Sequence, residues 1–285
     1  SELAQGWTGL WQRQGWQAPC VCRAGEPLPE GRDCLLLLDD NRGFAGGNNA
    51  ALRAILHWPG CRAVWLLNND TLPEPEALVA LCAALNAQPS AGLCGSTMRY
   101  AHTPDVVQCS GGGWLNRWLG TTRLASDGLG WARLPQENAR PLDFVLGASC
   151  LIRREVFARC GLLPEEYFLY YEEVDFALRA GRQGFGCLWA RASHVLHKEG
   201  ASTKAKGSGA RAVSRPAWVD WLMVRNRLYL MRRHFPLRLP LAVLGLLAVC
   251  VNRLRRGQAG RIPGLLLAAW HGLCGKMGRP AEGVR

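Results

Sequence analysis

The sequence predicts an α/β fold in which a mostly parallel sheet is flanked by helices. CLLLLDD (34–40) and AVWLLNND (63–70) are apolar runs that end in polar residues, which is typical of strands buried on both faces. A helical pattern follows each run, and strand–helix alternation indicates parallel strands joined by crossover helices. With 285 residues, 48% of them hydrophobic, the chain is long enough to bury one large core.

The elements of the first half follow in order. The strand at 34–40 leads into a Gly/Asn loop, NRGFAGGNN, which opens a helix. The strand at 63–70 precedes a helix at 73–88 with Pro and Glu at its start, as the helix dipole favours. AGLCGSTMRY (91–100) is a third strand, whereas the first 33 residues show no clear period.

The second half continues the alternation. DFVLGASCLIRREVFARCG (143–161) predicts a strand and a short helix, and YFLYYEEVDFALRAGRQGF (167–185) predicts an amphipathic helix. CLWARASHVLHKEG (187–200) predicts a strand that carries two histidines. Twelve cysteines without a Cys-x-x-Cys pair or a recognisable signal peptide favour a reduced, cytoplasmic protein.

Positive charge is concentrated in the C-terminal part of the chain. Residues 198–285 contain 17 of the 34 Lys and Arg but only three of the 22 acids. Two apolar runs of about 13 residues, 239–251 and 262–274, are flanked by arginines and are shorter than the roughly 18 residues that span a bilayer. We expect them to lie as helices on an anionic membrane surface. The alternative is a helical pair packed on the main domain, and without an RNA-binding signature we expect no nucleic-acid partner.

Polar residues at the end of the second strand indicate a ligand site. Asn68, Asn69 and Asp70 terminate the apolar run at 63–67, and ligands of parallel α/β sheets bind outside the carboxyl ends of strands. A carboxylate and an amide there can hold Mg²⁺ or Mn²⁺. Capping of the next helix by Asp70 or Thr71 is the alternative.

Three acids open the helix predicted at 167–185. Glu172, Glu173 and Asp175 lie within one turn, where burial and mutual repulsion raise proton affinity as a general base requires. Acids also favour helix N-termini without any catalytic role. His194 and His197 follow on the last strand, where a lone histidine is more often a packed residue than a ligand.

Five segments in order resemble the family 2 inverting glycosyltransferases, in particular the rhamnosyltransferase-like members, over roughly residues 35–235. The segments are NRGFAGGNNAALR, LLNNDTLPEPEAL, DFVLGASCLIRREVF, YFLYYEEVDFALRAGRQGF and HVLHKEG. The resemblance implies the GT-A fold. The family opens with a Val/Ile-rich strand, and no such segment is recognisable before Cys34. We therefore expect a GT-A domain at 1–210, incomplete at its N-terminus, and a basic, amphipathic helical region at 211–285.

The resemblance also implies roles for individual residues. Asp70 would contact a divalent metal that bridges the donor's phosphates, with His197 completing the metal shell. Glu173 takes the position of the general base, with Glu172 beside it, and the choice between the two stays open. The residues that the resemblance places near the nucleotide are Asn41, Gly43, Gly46, Gly47, Asn48, Asn68, Asn69 and Arg225. For Arg225 the alternative is simple surface charge.

The expected function is transfer of a sugar, such as the deoxysugar rhamnose, from a dTDP- or UDP-linked donor to a hydroxyl group. The expected acceptor is a lipid-linked or cell-surface polysaccharide, and the expected location is the inner face of the cell membrane, bound peripherally from the cytoplasm. The alternative is a non-catalytic, membrane-associated binding or scaffold protein on a decayed transferase fold.

Overall fold

The computed structural model describes residues 19–198 and 216–280, which form a mixed α/β structure with a helical C-terminal region. The boundary predicted at residue 210 lies outside the described residues. In chain order the strands are β1 (Cys20–Arg23), β2 (Cys34–Leu37), β3 (Ala63–Leu67), β4 (Thr71–Pro73), β5 (Ala91–Tyr100), β6 (Thr103–Ser110), β7 (Gly112–Leu115), β8 (Thr122–Leu124), β9 (Phe144–Val145), β10 (Ser149–Arg153) and β11 (Gly186–His197). The helices are α1 (Gly43–Ile55), α2 (Ala77–Ala87), α3 (Arg154–Cys160), α4 (Glu172–Arg182), α5 (Ala217–His234), α6 (Leu239–Leu244), α7 (Leu246–Arg255) and α8 (Ile262–Cys274).

The central sheet contains six strands in the order β3, β10, β5, β11, β4, with β6 also paired to β5. β10 and β6 occupy the same side of β5, β10 at residues 93–95 and β6 at residues 97–100. The predicted strands at 63–70, 91–100 and 187–200 all belong to this sheet. The predicted α/β class, with a sheet flanked by helices and a C-terminal helical region, is confirmed.

The strand directions are more mixed than the sequence suggests. β5 and β11 are parallel, whereas the β3–β10, β10–β5, β11–β4 and β5–β6 pairs are antiparallel. A direct crossover through α2 would have paired β3 with β5 in parallel, but β10 lies between them and runs the opposite way. The prediction of mostly parallel pairing is therefore corrected, because β5 and β11 are the one parallel pair of the described central sheet.

Two smaller sheets accompany the central one. β1 and β2 form a parallel two-stranded sheet, and β7 pairs with β8 and β9 in an antiparallel three-stranded sheet. β1 lies in the N-terminal region where the sequence shows no hydrophobic periodicity. A strand of four residues is too short to show one. The β7–β8 hairpin projects toward the C-terminal helices, since the Leu119 side chain lies beside Gly245.

The main core lies between the central sheet and the helices α1, α3 and α4. Leu52 of α1, Ile152 of β10 and Phe176 of α4 are each at most 1% exposed. Burial of each such side chain contributes about 1.5–3 kcal/mol relative to an exposed position. This packing fixes the start of α1 and the start of α4, where the candidate site residues lie.

The C-terminal helices are attached to this core through α5. Leu222 and Leu228 of α5 are fully buried, and Gly272 of α8 lies so close to the Arg225 carbonyl that a side chain would collide with it. The buried Asp220 carboxylate binds Arg253 at 2.8 Å and Arg261 at 2.7 Å. Arg253 and Arg261 therefore hold α7 and α8 on α5. A helix that only lay on a membrane would need these arginines to face outward, toward the lipid headgroups, and they do not.

One described segment, Pro236–Arg255, is long and apolar enough to cross a membrane by length and composition, with 20 residues and a mean hydropathy of 1.7. The expected length of about 13 residues is corrected, because helical structure already begins at Pro236 and continues through α7. This segment exposes an apolar stripe at three- and four-residue intervals. The apolar stripe consists of Leu237, Leu241, Leu244, Leu247, Val251 and Leu254.

Candidate active site

A cavity of about 770 Å³ lies at the carboxyl end of β3, beside the start of α1. Five residues predicted near the donor or metal line it: Asn41, Gly43, Asn68, Asn69 and Asp70. Asp70 and Thr71 lie several residues before α2, whose N-cap is Glu76, so they do not cap that helix. β3 is the last strand at one end of the sheet path and is mostly half-buried, not buried on both faces as predicted. The polar residues that follow it line a cavity. We refer to it as the Asp70 cavity.

Gly43 allows two backbone segments to meet at the wall of this cavity. Its φ angle is +72°, and a Cβ atom there would collide with the Phe168 carbonyl oxygen. The Asn41 side chain accepts a hydrogen bond from the Gly43 amide at 2.9 Å, and the Phe44 amide donates to the Phe168 carbonyl at 2.8 Å. These contacts join the start of α1 to the segment that precedes α4.

The rest of the Gly/Asn segment is helical, which corrects the loop expected there. Gly46, Gly47 and Asn48 lie in the first two turns of α1 and do not line the Asp70 cavity. The Asn48 side chain donates to the Phe44 carbonyl at 2.8 Å, so its amide satisfies the helix backbone. Gly46 is buried, and a Cβ atom there would press on the Arg42 side chain.

Asp70 and His197 come together across the end of the sheet. His197 pairs with Thr71 in the β11–β4 register, and its Nε2 atom lies 3.2 Å from Asp70 Oδ1. The other ring nitrogen, Nδ1, lies 2.9 Å from Gln108 Oε1, which fixes the ring plane. The Asp70 side chain keeps 17% of its surface exposed, toward the cavity.

This donor set fits a divalent metal that a substrate helps to hold. Within the described residues, no group of three or more His, Cys, Asp or Glu side chains could enclose an ion. Asp70 and His197 supply one carboxylate and one imidazole, and the amide oxygens of Asn68 and Asn69 lie nearby. Mg²⁺ typically binds one or two carboxylates and takes its remaining ligands from phosphates and water. The residues present match that pattern.

A second cavity, of about 420 Å³, contains Glu173. We refer to it as the Glu173 cavity. Burial raises the pKa of Glu173 to about 7, and burial followed by the Glu173 charge raises the pKa of Glu172 well above its usual value. Glu172 is only 4% exposed and does not line this cavity. Of the two acids at the start of α4, Glu173 is therefore the one that a bound molecule can reach.

The two cavities have no lining residue in common, but consecutive residues of two segments line one and then the other. Phe168 and Leu169 line the Asp70 cavity, whereas Tyr170 and Tyr171 line the Glu173 cavity. Phe168, Tyr170 and Tyr171 have φ angles of +66°, +70° and +73°, a conformation that costs non-glycine residues energy and is frequent at functional sites. At the start of α5, Trp218 faces the first cavity and its neighbour Val219 faces the second.

Arg225 and Asn226 hold this strained segment in place. Asn226 Nδ2 donates to the carbonyls of Tyr167, Leu169 and Tyr170 at 2.8–3.1 Å. Arg225 donates to the Tyr167 carbonyl at 2.9 Å and to the Asn226 side chain at 2.9 Å. Arg225 is 1% exposed and lines neither cavity, so it is neither a donor ligand nor a surface charge. The position predicted for it near the nucleotide is corrected accordingly.

Residues 21–220 match the model of a protein family described as glycosyltransferase-like family 2. The chain belongs to this family. Its resemblance to family 2 glycosyltransferases, predicted from sequence motifs, is therefore confirmed.

Two kinds of characterised relatives match the family 2 chain. An N-acetylglucosaminyl-diphospho-decaprenol L-rhamnosyltransferase of Mycobacterium tuberculosis is 28% identical over 151 residues, which cover 49% of this chain and 48% of the relative. A low-salt glycan biosynthesis hexosyltransferase of Haloferax volcanii is 26% identical over 161 residues, or 56% of this chain and 50% of the relative. The chain spans about half the length of these relatives.

Solved structures resemble the family 2 chain more distantly. GalNAc-T7 with UDP, GalNAc and Mn²⁺ superposes with a TM-score of 0.47 and 12% identity, covering 70% of this chain and 36% of that one. A mannosyltransferase from Pyrobaculum calidifontis with GDP-Man and Mn²⁺ gives a TM-score of 0.43 and 14% identity, covering 86% of this chain and 70% of that one. These scores are too low to transfer site residues.

Sequence motifs do not reveal every residue that lines the Asp70 cavity of this family 2 chain. Trp218, Arg279 and Pro280 reach it from the C-terminal region, as do Phe168 and Leu169 from the strained segment. Arg279 lies more than 200 residues from Asp70 in sequence, and no local motif marks it. The neighbouring Gly278 carbonyl accepts a hydrogen bond from Arg225 at 2.7 Å, which explains how this end of the chain is held at the cavity.

Replacing Asn226 by alanine is expected to destabilise the protein by at least about 2 kcal/mol, because buried carbonyl groups lose their donor. Urea unfolding monitored by tryptophan fluorescence measures this change. The exposed Asn86 of α2 is the matched control, and its replacement by alanine should alter stability by less than about 0.5 kcal/mol. An Asn226→Ala protein as stable as the wild type would show that the hydrogen bonds of Asn226 do not stabilise the segment 167–170.

Proposed function

We propose that this chain is an inverting glycosyltransferase that moves a sugar from a nucleoside-diphosphate donor to an acceptor hydroxyl. The observation that carries the proposal is a pair of neighbouring cavities, one lined by Asp70 and the other by Glu173, with the segment 168–171 between them. His197 does not line the first cavity but lies behind Asp70, 3.2 Å from its carboxylate. A transferase needs two such sites side by side, because donor and acceptor must meet within bonding distance. Membership of family 2 supports the same reading.

In the proposed mechanism, the donor diphosphate binds in the Asp70 cavity, against Asn68, Asn69 and the start of α1. Asp70 and His197 are the residues that would hold a divalent cation, Mg²⁺ or Mn²⁺. Such an ion, when bound, neutralises negative charge that develops on the leaving diphosphate. Asn41 and Gly43 shape the wall beside the donor, and Gln108 keeps the His197 ring oriented.

Glu173 acts as the general base on the acceptor side. Its carboxylate accepts the proton of the attacking hydroxyl while the acceptor oxygen forms a bond to the anomeric carbon. The bond between that carbon and the phosphate oxygen breaks on the opposite face, and the nucleoside diphosphate leaves with the electron pair. Direct displacement inverts the anomeric configuration. A pKa of about 7 suits a base that works near neutral pH.

The finer substrate proposal is a deoxysugar such as rhamnose, carried by dTDP or UDP, and a lipid-linked or cell-surface polysaccharide acceptor. The rhamnosyltransferase relative, whose name includes a diphospho-decaprenol, supports this choice. The test is to incubate the full chain with Mn²⁺, a dTDP-sugar and a glycosylated prenyl-diphosphate acceptor, and to determine the product by NMR. We expect a single product of opposite anomeric configuration. Retention of configuration, or no product with any donor, would refute the proposal.

We also propose that the C-terminal region attaches the protein peripherally to the inner face of the cell membrane. The apolar stripe is exposed, and Leu266, Leu267 and Trp270 of α8 add a second exposed apolar surface. The opposite side of α6 and α7 packs on the protein through the buried Ala242 and Leu246. A segment with one side on protein and one apolar side outward is suited to lie in the membrane interface. Crossing the bilayer would require those contacts to break.

Replacing Leu244, Leu247 and Val251 together by serine is expected to weaken binding to anionic lipid vesicles at least about a hundredfold, since each buried apolar side chain contributes about 1.5–3 kcal/mol. Sedimentation with vesicles measures the loss. Substitution is preferable to deletion of 236–285, because deletion also removes Arg279 and Pro280 from the Asp70 cavity.

The control for the serine variant carries the same change at Leu78 and Val79, two exposed apolar residues of α2. That control should bind vesicles as the wild type does. Undiminished vesicle binding by the variant at 244, 247 and 251 would refute the proposed attachment surface. Resistance of the bound wild-type protein to alkaline extraction would instead indicate a membrane-spanning segment.

A further inference from the structure

A third cavity, of about 930 Å³, lies between the β7–β8 hairpin, the segment before β9 and the start of α6. We refer to it as the arginine cavity. Its charged and aromatic lining residues are Arg117, Arg123, Arg140, Arg238, Asp143, Trp114 and Trp118.

The arginine cavity carries an excess of positive charge. Asp143 binds Arg117 at 2.9 Å and lies 3.9 Å from Arg140, and it also accepts a hydrogen bond from the Leu115 amide. Arg123 and Arg238 have no carboxylate partner within the described residues. Four guanidinium groups thus face a single carboxylate. A concave site with such an excess attracts anions, and guanidinium groups bind phosphate oxygens in bidentate fashion.

Two tryptophans orient the arginines of this cavity. The Arg238 guanidinium carbon lies 4.3 Å from the centre of the Trp118 ring, and that of Arg140 lies 5.2 Å from the Trp114 ring. Stacking restricts the plane of each guanidinium group. Arg238 Nη1 also donates to the Arg117 carbonyl at 3.5 Å, and its other N–H groups have no partner among the described residues. Trp118 itself is 57% exposed, so this wall of the cavity is open to a ligand.

The position of the arginine cavity relative to the other sites is informative. Thr122 and Arg123 line both the arginine cavity and the Glu173 cavity, so the two are neighbours. On the other side, Arg238 follows the exposed Leu237 and precedes Leu241, two residues of the apolar stripe. A general base, an anion site and an apolar surface therefore follow one another along the molecule.

We propose that the arginine cavity binds the diphosphate of a prenyl-diphosphate-linked acceptor. The acceptor sugar would then reach Glu173 past Thr122 and Arg123, and the prenyl chain would lie along the apolar stripe beside Arg238. The order of sugar, diphosphate and hydrocarbon in such a molecule matches the order of the three surfaces. This inference rests on the proposed transferase function and specifies which class of acceptor the site selects.

Direct binding tests the proposal without requiring activity. The probe is farnesyl diphosphate, a short prenyl diphosphate, titrated into the full chain and into the variants Arg123→Gln and Arg238→Gln. We expect each variant to weaken binding about tenfold or more, because each removes a charge-assisted contact to phosphate. Binding of dTDP should stay unchanged, since the Asp70 cavity is intact. Arg182→Gln, at an exposed position of α4, is the control and should bind farnesyl diphosphate as the wild type does.

Three results would overturn the proposal. Equal affinity of wild type and both variants for farnesyl diphosphate would show that the arginines do not hold the diphosphate. A parallel loss of dTDP affinity would place the donor in this cavity. Displacement of farnesyl diphosphate by soluble glycerol 3-phosphate at similar concentration would indicate a site for lipid headgroups instead.

Kinetics separate this proposal from the proposed function. Arg238→Gln is expected to raise KM for a prenyl-diphosphate-linked acceptor about tenfold while KM for the donor stays the same. A wild type that transfers sugar, with an unchanged acceptor KM in the variant, refutes the arginine cavity alone. Absence of transfer by the wild type, with arginine-dependent binding of farnesyl diphosphate, refutes the transferase function alone.

Discussion

Replacing Glu173 by glutamine is expected to reduce the rate of sugar transfer at least about a hundredfold, because a general base contributes roughly 10²–10⁴ to the rate. The amide is nearly isosteric with the carboxylate but cannot take a proton from the acceptor hydroxyl. Initial rates at saturating donor and acceptor measure the effect. Binding of dTDP is expected to stay within about twofold of the wild type, because Glu173 lines the acceptor side only.

Glu172→Gln is the matched control for this experiment. Glu172 is buried and does not line the Glu173 cavity, and burial raises its pKa well above the usual glutamate range. We expect less than about a tenfold loss of rate in this variant. Wild-type turnover by Glu173→Gln, or a larger loss in Glu172→Gln than in Glu173→Gln, would remove Glu173 from the role of base.

The same assignment predicts the pH dependence of the wild-type rate. Burial raises the pKa of Glu173 to about 7, so the fraction in the basic, ionised form grows as the pH rises through that value. The transfer rate should therefore increase between about pH 6 and 8 and then level off. Since the folded protein disfavours the ionised form, ionisation lowers stability progressively from the ordinary glutamate pKa of 4.5 up to about 7. Glu173→Gln lacks this penalty, and its Tm at pH 8 should at least equal that of the wild type.

Replacing Asp70 by alanine is the second substitution with a large expected effect. It removes the carboxylate that lies 3.2 Å from His197 and with it the negatively charged ligand of the proposed metal. Without this carboxylate the site would lose its charged metal ligand, and we expect transfer to fall by about a hundredfold or more. Nucleotide affinity should become independent of Mn²⁺, which titration calorimetry detects directly.

Asp105→Ala supplies the control for Asp70. Asp105 is an exposed carboxylate on β6 and lines none of the cavities described above. Its replacement should leave unchanged both the rate of sugar transfer and the effect of Mn²⁺ on nucleotide affinity. A metal-dependent gain in nucleotide affinity that persists in Asp70→Ala would show that the ion binds elsewhere.

Much of the fold follows from local sequence patterns. The apolar runs at 63–67 and 91–100 are strands, and the helix predicted at 73–88 is present as α2. The antiparallel position of β10 does not follow, because strand direction depends on the path of the chain through β6, β7, β8 and β9. The pairings of β10 with β3 and with β5 join residues more than 50 positions apart, which no local hydrophobic period records.

Some residues of the candidate site can also be predicted from the sequence, and others cannot. Asn68, Asn69, Asp70 and Glu173 are conspicuous in the sequence because polar groups end or open otherwise apolar elements, and the structure places them at cavities. Arg225 shows the limit of such reasoning. Its charge suggests a phosphate ligand, whereas its burial among carbonyl groups makes it part of a clamp. The arginine cavity is also hidden in the sequence, since Arg123 and Arg238 lie more than 100 residues apart.

Calorimetric titration of the full chain with dTDP and with UDP, each with and without Mn²⁺, tests the central claim most directly. We expect at least one of the two nucleotides to bind, Mn²⁺ to strengthen its binding, and Asp70→Ala to abolish the gain. Absence of binding by both nucleotides, with and without the ion, would contradict the account and favour a non-catalytic protein on a transferase fold.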